Sequence, residues 1–395
     1  MNLFILILGI VLFIGLIIAH EFGHFIVATR NGVKAEEFGI FFGPTLFKHK
    51  TKKGWIFKIN LLPLGGYVKL KGEHDTDTQP GSYGAANLWV KSKIMIAGVF
   101  SNFVLGVLFL IILCFFGIPQ LIPNQFALKS DQYVVSSPSN YLIIQQVLKD
   151  SPASRAGLKT GDKIISIGKN NYEQTKISTF STLSSLTKKY QGQRVEIDYS
   201  FKNKTFSAFT TLNSTASIQN YKKTHQKVYL GVGVNQFQAG YQVVRYTWTA
   251  PLVALGTTKQ IVTLTFKGLG QAIKGLFGIF SGFISNNTVA RKNAQTSASS
   301  QLVGPVGIFI ILKDGSANGI LFMLFIIAII SLTLAIMNIL PIPALDGGRL
   351  WFTLIFRSIK KPLSQKNEEL LNALGFFILL FLLGIVTYLD IKRFF

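Results

Sequence analysis

The sequence predicts a multi-pass α-helical membrane protein, with four transmembrane helices and a β-rich domain inserted between the second and the third. Three observations predict it. Only 14% of the 395 residues are charged while 49% are apolar, including 34 Phe, the balance of a chain that lives mostly in lipid. Four stretches, residues 3–28, 94–118, 319–342 and 370–389, supply the roughly 20 apolar residues that a helix needs to cross a bilayer. The long interval 119–318 holds strand-like and turn-rich segments instead.

The first stretch lacks a basic leader and runs on through "HEFGHFIVA" rather than a small-residue cleavage site, so it is expected to be retained as a helix. Residues 29–93 hold eleven Lys and Arg, residues 1–28 none. Short cytoplasmic loops collect such residues, which puts the N-terminus outside and runs the first helix inward. Within that loop "GIFFGPTLFKH" and "WIFKINLL" flank the turn-like "KTKKG" and precede "GGYVKLK", a pattern of short strands with Gly-rich joints. The second span carries Cys114, which has no partner for a disulfide and reads as apolar filler.

Past the second span, Phe266, Leu269, Ile273, Leu276, Phe280 and Phe283 recur every three or four residues with Lys267, Gln271 and Lys274 between them. This predicts an amphipathic helix at the membrane interface. Residues 285–301 read as a flexible loop. After the third span come Arg349, Arg357, Lys360, Lys361 and Lys366, again a cytoplasmic signature, so both termini and the interval 119–318 are expected outside. Net charge is +23. No nucleic-acid motif accompanies it, and basic loops beside anionic headgroups account for it.

Polar residues inside the spans are the functional signal, because an ionisable group at bilayer depth is costly and faces a bundle interior or a water-filled cavity. His20 and His24 sit four apart and so share a helix face within reach of one metal ion, with Glu21 beside them. His-Glu-x-x-His on a helix is a zinc-peptidase signature with the Glu as general base. Catalytic zinc takes three protein ligands and keeps one position open for water, which requires a third ligand from elsewhere. The third span runs inward and ends in "MNILPIPALDGGRL", bringing Asn338 and Asp346 to the depth of His20. Asp346 is the candidate ligand, although "LDGG" is also good turn chemistry.

"HEFGH" at 20–24, "NILPIPALDG" at 338–347, "GVFSN" at 98–102, "GGYVKL" at 65–70 and "GPVGI" at 304–308 together resemble the site-2 proteases over nearly the whole chain. The bacterial members that cleave membrane-anchored anti-sigma factors are the most similar. The resemblance implies one Zn2+ held by His20, His24 and Asp346, with Glu21 as general base. Asn338 would serve the developing oxyanion or orient Asp346. Asn102 could be no more than an interhelical hydrogen bond beside the small Gly98. The β-element would lie near the zinc and hold an unwound substrate as an added strand.

Residues 139–212, with "SPASRAGLKTGDKIISI" at their centre, look like a PDZ domain, which would inspect or exclude the outer part of a substrate. The expected organisation is 1–128 for the first membrane half, 129–213 for the PDZ-like domain, 214–318 for an interfacial connector and 319–395 for the second membrane half. The expected setting is a bacterial cytoplasmic membrane, with the active site near its inner face and membrane-anchored proteins as substrates. Two other readings fit parts of the pattern. A non-catalytic scaffold with a relic metal site has no chemical need for Glu21. A metal transporter would string its polar residues over several depths.

Overall fold

The computed structural model describes residues 2–73, 77–169, 173–202, 204–215, 229–284, 303–359 and 365–394. The segment 285–301, expected as a flexible loop, lies outside the described residues. Two compact units emerge: residues 1–135 with 243–395, and residues 136–242.

In the first unit α1, Leu3–Arg30, begins where the Asn2 side chain accepts from the Ile5 N–H and ends at Asn31, followed by Gly32 at φ +81°. Two long strands follow, β1 (Ala35–Lys50) and β2 (Ile56–Leu70), joined through the Lys-rich turn at Thr51–Gly54. Their register is folded on itself: Phe38 pairs with both Val68 and Phe57, while His49 also pairs with Phe57. The strand pieces expected from the sequence are thus joined into two continuous strands, kinked near Gly43 (φ +85°) and Gly65 (φ +79°). Helix α2, Leu88–Phe116, is capped by Asn87 and stops at Gly117, φ +137°. It starts six residues before the expected span because Asn87 supplies the cap that the hydropathy pattern does not mark.

Short strands β3 (Ile118–Pro119), β4 (Tyr133–Ser136) and, later in the chain, β11 (Val243–Arg245) form one small sheet in the order β3-β11-β4. The Asp131 carboxylate accepts from the N–H and hydroxyl of both Thr247 and Thr249, which ties residue 131 to the start of the next long helix.

In the second unit β5 (Ser139–Val147), α3 (Pro152–Arg155), β6 (Lys163–Gly168), β7 (Thr175–Lys176), α4 (Phe180–Lys189), β8 (Arg194–Phe201), β9 (Lys204–Thr211) and β10 (Val232–Ala239) build a sheet ordered β10-β5-β6-β8-β9, with β7 on β6. Leu142, Ile144, Ile164, Ile167, Val195 and Ile197 fill its core. The unit continues beyond the expected end at 213, since β10 pairs along the whole of β5. "VGVNQFQA" has too weak an apolar alternation to announce itself as that partner.

Back in the first unit, α5 (Ala250–Ile284) is twice the length of the expected amphipathic helix. Its first half is not interfacial: Ala250, Val253, Ala254 and Ile261 are buried against Leu110 and Leu113 of α2 and Phe325 and Ala328 further along the chain. Helices α6 (Pro305–Ala317), α7 (Ile320–Ile339), α8 (Asp346–Ser358) and α9 (Gln365–Phe394) complete it. Leu6 and Leu16 of α1 pack with Leu312 of α6 and Met323 and Ile327 of α7. Among the described residues, four helical stretches, Leu3–Arg30, Leu88–Phe116, Ile320–Ile339 and Lys366–Lys392, are long and apolar enough to cross a membrane. Side chains approach closely where glycines allow it. A Cβ on Gly23 would meet the Ala97 carbonyl at 2.6 Å, and one on Gly106 would meet Leu332 at 2.7 Å, which fixes α2 against α1 and α7.

Candidate active site

Helical spacing puts His20 and His24 on the side of α1 that meets α2, and both are buried. Their Nε2 atoms lie 3.3 Å apart. Asp346 arrives from the other end of the chain, with Oδ2 2.9 Å from His20 Nε2 and 3.0 Å from His24 Nε2. Among the described residues these three form the one group of His, Cys, Asp or Glu side chains whose donor atoms converge within 4.8 Å. Ligands of tetrahedral zinc, bonded at about 2.0–2.1 Å, stand roughly 3.3 Å from one another. Two imidazole nitrogens and one carboxylate oxygen at this spacing fit zinc, with a fourth position left open.

Backbone geometry delivers Asp346. After α7 the segment Leu340–Leu345 turns back, with Ala344 in the left-handed region at φ +71°, and α8 begins at Asp346 itself. A Cβ on Gly347 would strike the Ile339 and Leu340 carbonyls, and one on Gly348 the Ile342 carbonyl. The two glycines of "LDGG" are therefore required by close backbone approach. Arg349, which the sequence reading left among the cytoplasmic charges, braces this start of α8. Its Nη2 donates to the Glu73 carbonyl at 3.3 Å and stands 3.9 Å from Glu368 of α9, and its guanidinium lies 5.9 Å from the Tyr83 ring centre.

On the α2 side, the Ile94 carbonyl lies 2.6 Å from His24 Nδ1. A Cβ on Gly98 would lie 2.8 Å from His20 Nε2 and closer still to His24 Nε2. Gly98 thus leaves an atom-sized space facing both imidazoles. A cavity of about 420 Å³ is lined by Glu21, His24, Asp346 and Arg349 and by residues 66–70 of β2. Gly66 comes so near that a Cβ there would sit 3.0 Å from Glu21 Cγ. Asn338 occupies the last turn of α7, half-buried, and neither lines this cavity nor makes a side-chain hydrogen bond to a described residue.

A model of the family described as Peptidase family M50 matches residues 8–382. The chain belongs to peptidase family M50. Full-length relatives include the "Putative zinc metalloprotease" of Clostridium perfringens, 29% identical over 98% of both chains. That of Campylobacter jejuni is 31% identical over 96% of this chain and 90% of its own. "Zinc metalloprotease RasP" of Geobacillus kaustophilus is 26% identical over 98% and 97%. As an M50 peptidase, of the site-2 protease type, the protein is a zinc metalloendopeptidase with Zn2+ as its cofactor. Its apolar helices make it an M50 peptidase of a membrane.

Proposed function

We propose that this peptidase hydrolyses peptide bonds within or beside transmembrane segments of membrane-anchored proteins, using one zinc held by His20, His24 and Asp346. The observation that carries the reading is the convergence of those three side chains at a cavity lined by Glu21, His24 and Asp346, with both histidines on a helix of membrane-spanning length. Bound zinc would polarise the scissile carbonyl and bring the pKa of a ligated water to about 7. Glu21 takes the proton from the attacking water and returns it to the leaving amine. Asn338 neither bonds Asp346 nor lines the cavity, so serving the developing oxyanion would require its amide to turn toward the zinc.

A helical substrate hides its peptide bonds in its own ladder and must unwind to be cut. Residues 66–70 pair with β1 and line the cavity. A substrate strand added to their outer edge would be held across Glu21, taking the place of side-chain bonds such as that from the Leu70 N–H to Glu73. The unit 136–242 serves as a PDZ-like domain acting on the outer part of the substrate. The basic loops support an active site near the cytoplasmic face of a bacterial inner membrane, with both termini outside.

Glu21→Gln tests the reading, because the amide keeps the shape and the three ligands but cannot relay a proton. Zinc content of the purified variant should stay near one per chain while cleavage falls by at least about 100-fold, the scale of general-base catalysis. Comparing membrane-protein fragments in cells carrying this variant and the wild type should reveal uncut substrates. Retained cleavage would remove Glu21 from its role.

A further inference from the structure

Asn102 of α2 is only 1% exposed, one turn beyond Gly98 on the helix face that meets α1. Its backbone is fixed by the Ser331 hydroxyl of α7, which donates to the Asn102 carbonyl at 2.6 Å. Its side-chain nitrogen stands 3.5 Å from His20 Nδ1, whereas its side-chain oxygen has no partner among the described residues. A buried amide oxygen without a partner costs about 1–3 kcal/mol.

The two terminal atoms of an amide are near-isosteric, so which one faces the histidine follows from the hydrogen-bond network. His20 Nε2 points at Asp346 Oδ2 and His24 Nε2, as a zinc ligand must. Metal ligation through Nε2 puts the imidazole proton on Nδ1, and an N–H there needs an acceptor, not the NH2 of an amide. Turning the Asn102 amide by 180° meets both needs at once: the orphaned oxygen receives the Nδ1 proton. His24 is already held in this way, through Nδ1 and the Ile94 carbonyl.

We propose that Asn102 is a positioning residue whose side-chain oxygen accepts from His20 Nδ1–H and fixes the Nε2 tautomer for zinc. With it, α2 orients both histidines from residues eight apart, the Ile94 carbonyl for His24 and the Asn102 side chain for His20, while Gly98 between them leaves room for the ion. The inference rests on the assignment of His20 as a zinc ligand.

The test measures zinc affinity of the full-length protein in detergent by competition with a chromophoric chelator, together with thermal unfolding of the metal-free form. Asn102→Leu keeps the bulk and removes the acceptor, and should weaken zinc 10- to 100-fold, the range for losing such a partner, with metal-free melting unchanged or raised. Asn102→Asp restores an acceptor and should bind zinc within a few-fold of the wild type. Should the Leu variant lower metal-free melting, Asn102→Ala carries the same comparison. Wild-type affinity in the Leu or Ala variant overturns the proposal. So does equal weakening in the Leu and Asp variants, which would assign Asn102 to packing. His20→Ala separates the two levels: if it binds zinc as the wild type does, the ligand assignment itself fails.

Discussion

At the scale of single residues, the space beside Gly98 is as demanding as the ligands. One added methyl would clash with both imidazoles, at their Nε2 atoms, which are the atoms that meet Asp346. Gly98→Ala should therefore lose stoichiometric zinc, by at least about tenfold in affinity, although all three proposed ligands and Glu21 are intact. Metal analysis checks it, and a zinc-replete Gly98→Ala protein would move the ion's position away from α2. The sequence made His20, Glu21, His24 and Asp346 legible as candidates, since helical spacing and hydropathy are local properties that one strand of text carries. It left Gly98 as a packing glycine and Arg349 as a loop charge. What they do depends on approaches between segments distant in the chain, Gly98 to His20 and His24 and Arg349 to Glu73 and Tyr83, which no spacing rule encodes.

At the scale of elements, the start of α5 is governed by a carboxylate far away in the chain. Burial pushes the Asp131 carboxyl up, but the hydrogen bonds from Thr247 and Thr249 outweigh it and hold it at about 2. A carboxyl depressed in the folded state contributes stability that is complete above its unfolded value near 4 and is lost as pH falls through about 2. Asp131→Asn should lower the melting temperature at pH 7, and the gap to the wild type should narrow from pH 4 downward. Melting curves at pH 7, 4 and 3 decide this; a gap independent of pH would mean the charge is immaterial. The same element explains an incomplete sequence reading. The stripe from Phe266 onward is visible as a period, whereas Ala250, Val253, Ala254 and Thr257 are small or polar and reveal a buried face only once α2 and α7 lie against them.

At the scale of the whole molecule, the buried clusters divide as the chain does. Among the described residues, the core of the unit 136–242 is drawn wholly from its own residues, and the clusters around α1, α2 and α7 contain none of them. Replacing 136–242 by a short Gly/Ser linker should leave a folded protein with one zinc. Such a protein should still cut a substrate already trimmed on its outer side, and should cut the untrimmed parent more readily than the intact enzyme does. If the zinc-loaded deletion protein cuts neither, the inserted unit takes a direct part in the reaction.

The small sheet β3-β11-β4 gives this a longer reach. The chain departs for the insert at the end of β4 and resumes in β11, and these two strands are neighbours. Departure and return at one spot mean that the inserted piece is a side excursion, and the threading of the helices is the same with it, without it, or with another piece in its place. Inheritance can then lengthen, duplicate or exchange the excursion, while the few ångströms between His20, His24 and Asp346 are left untouched.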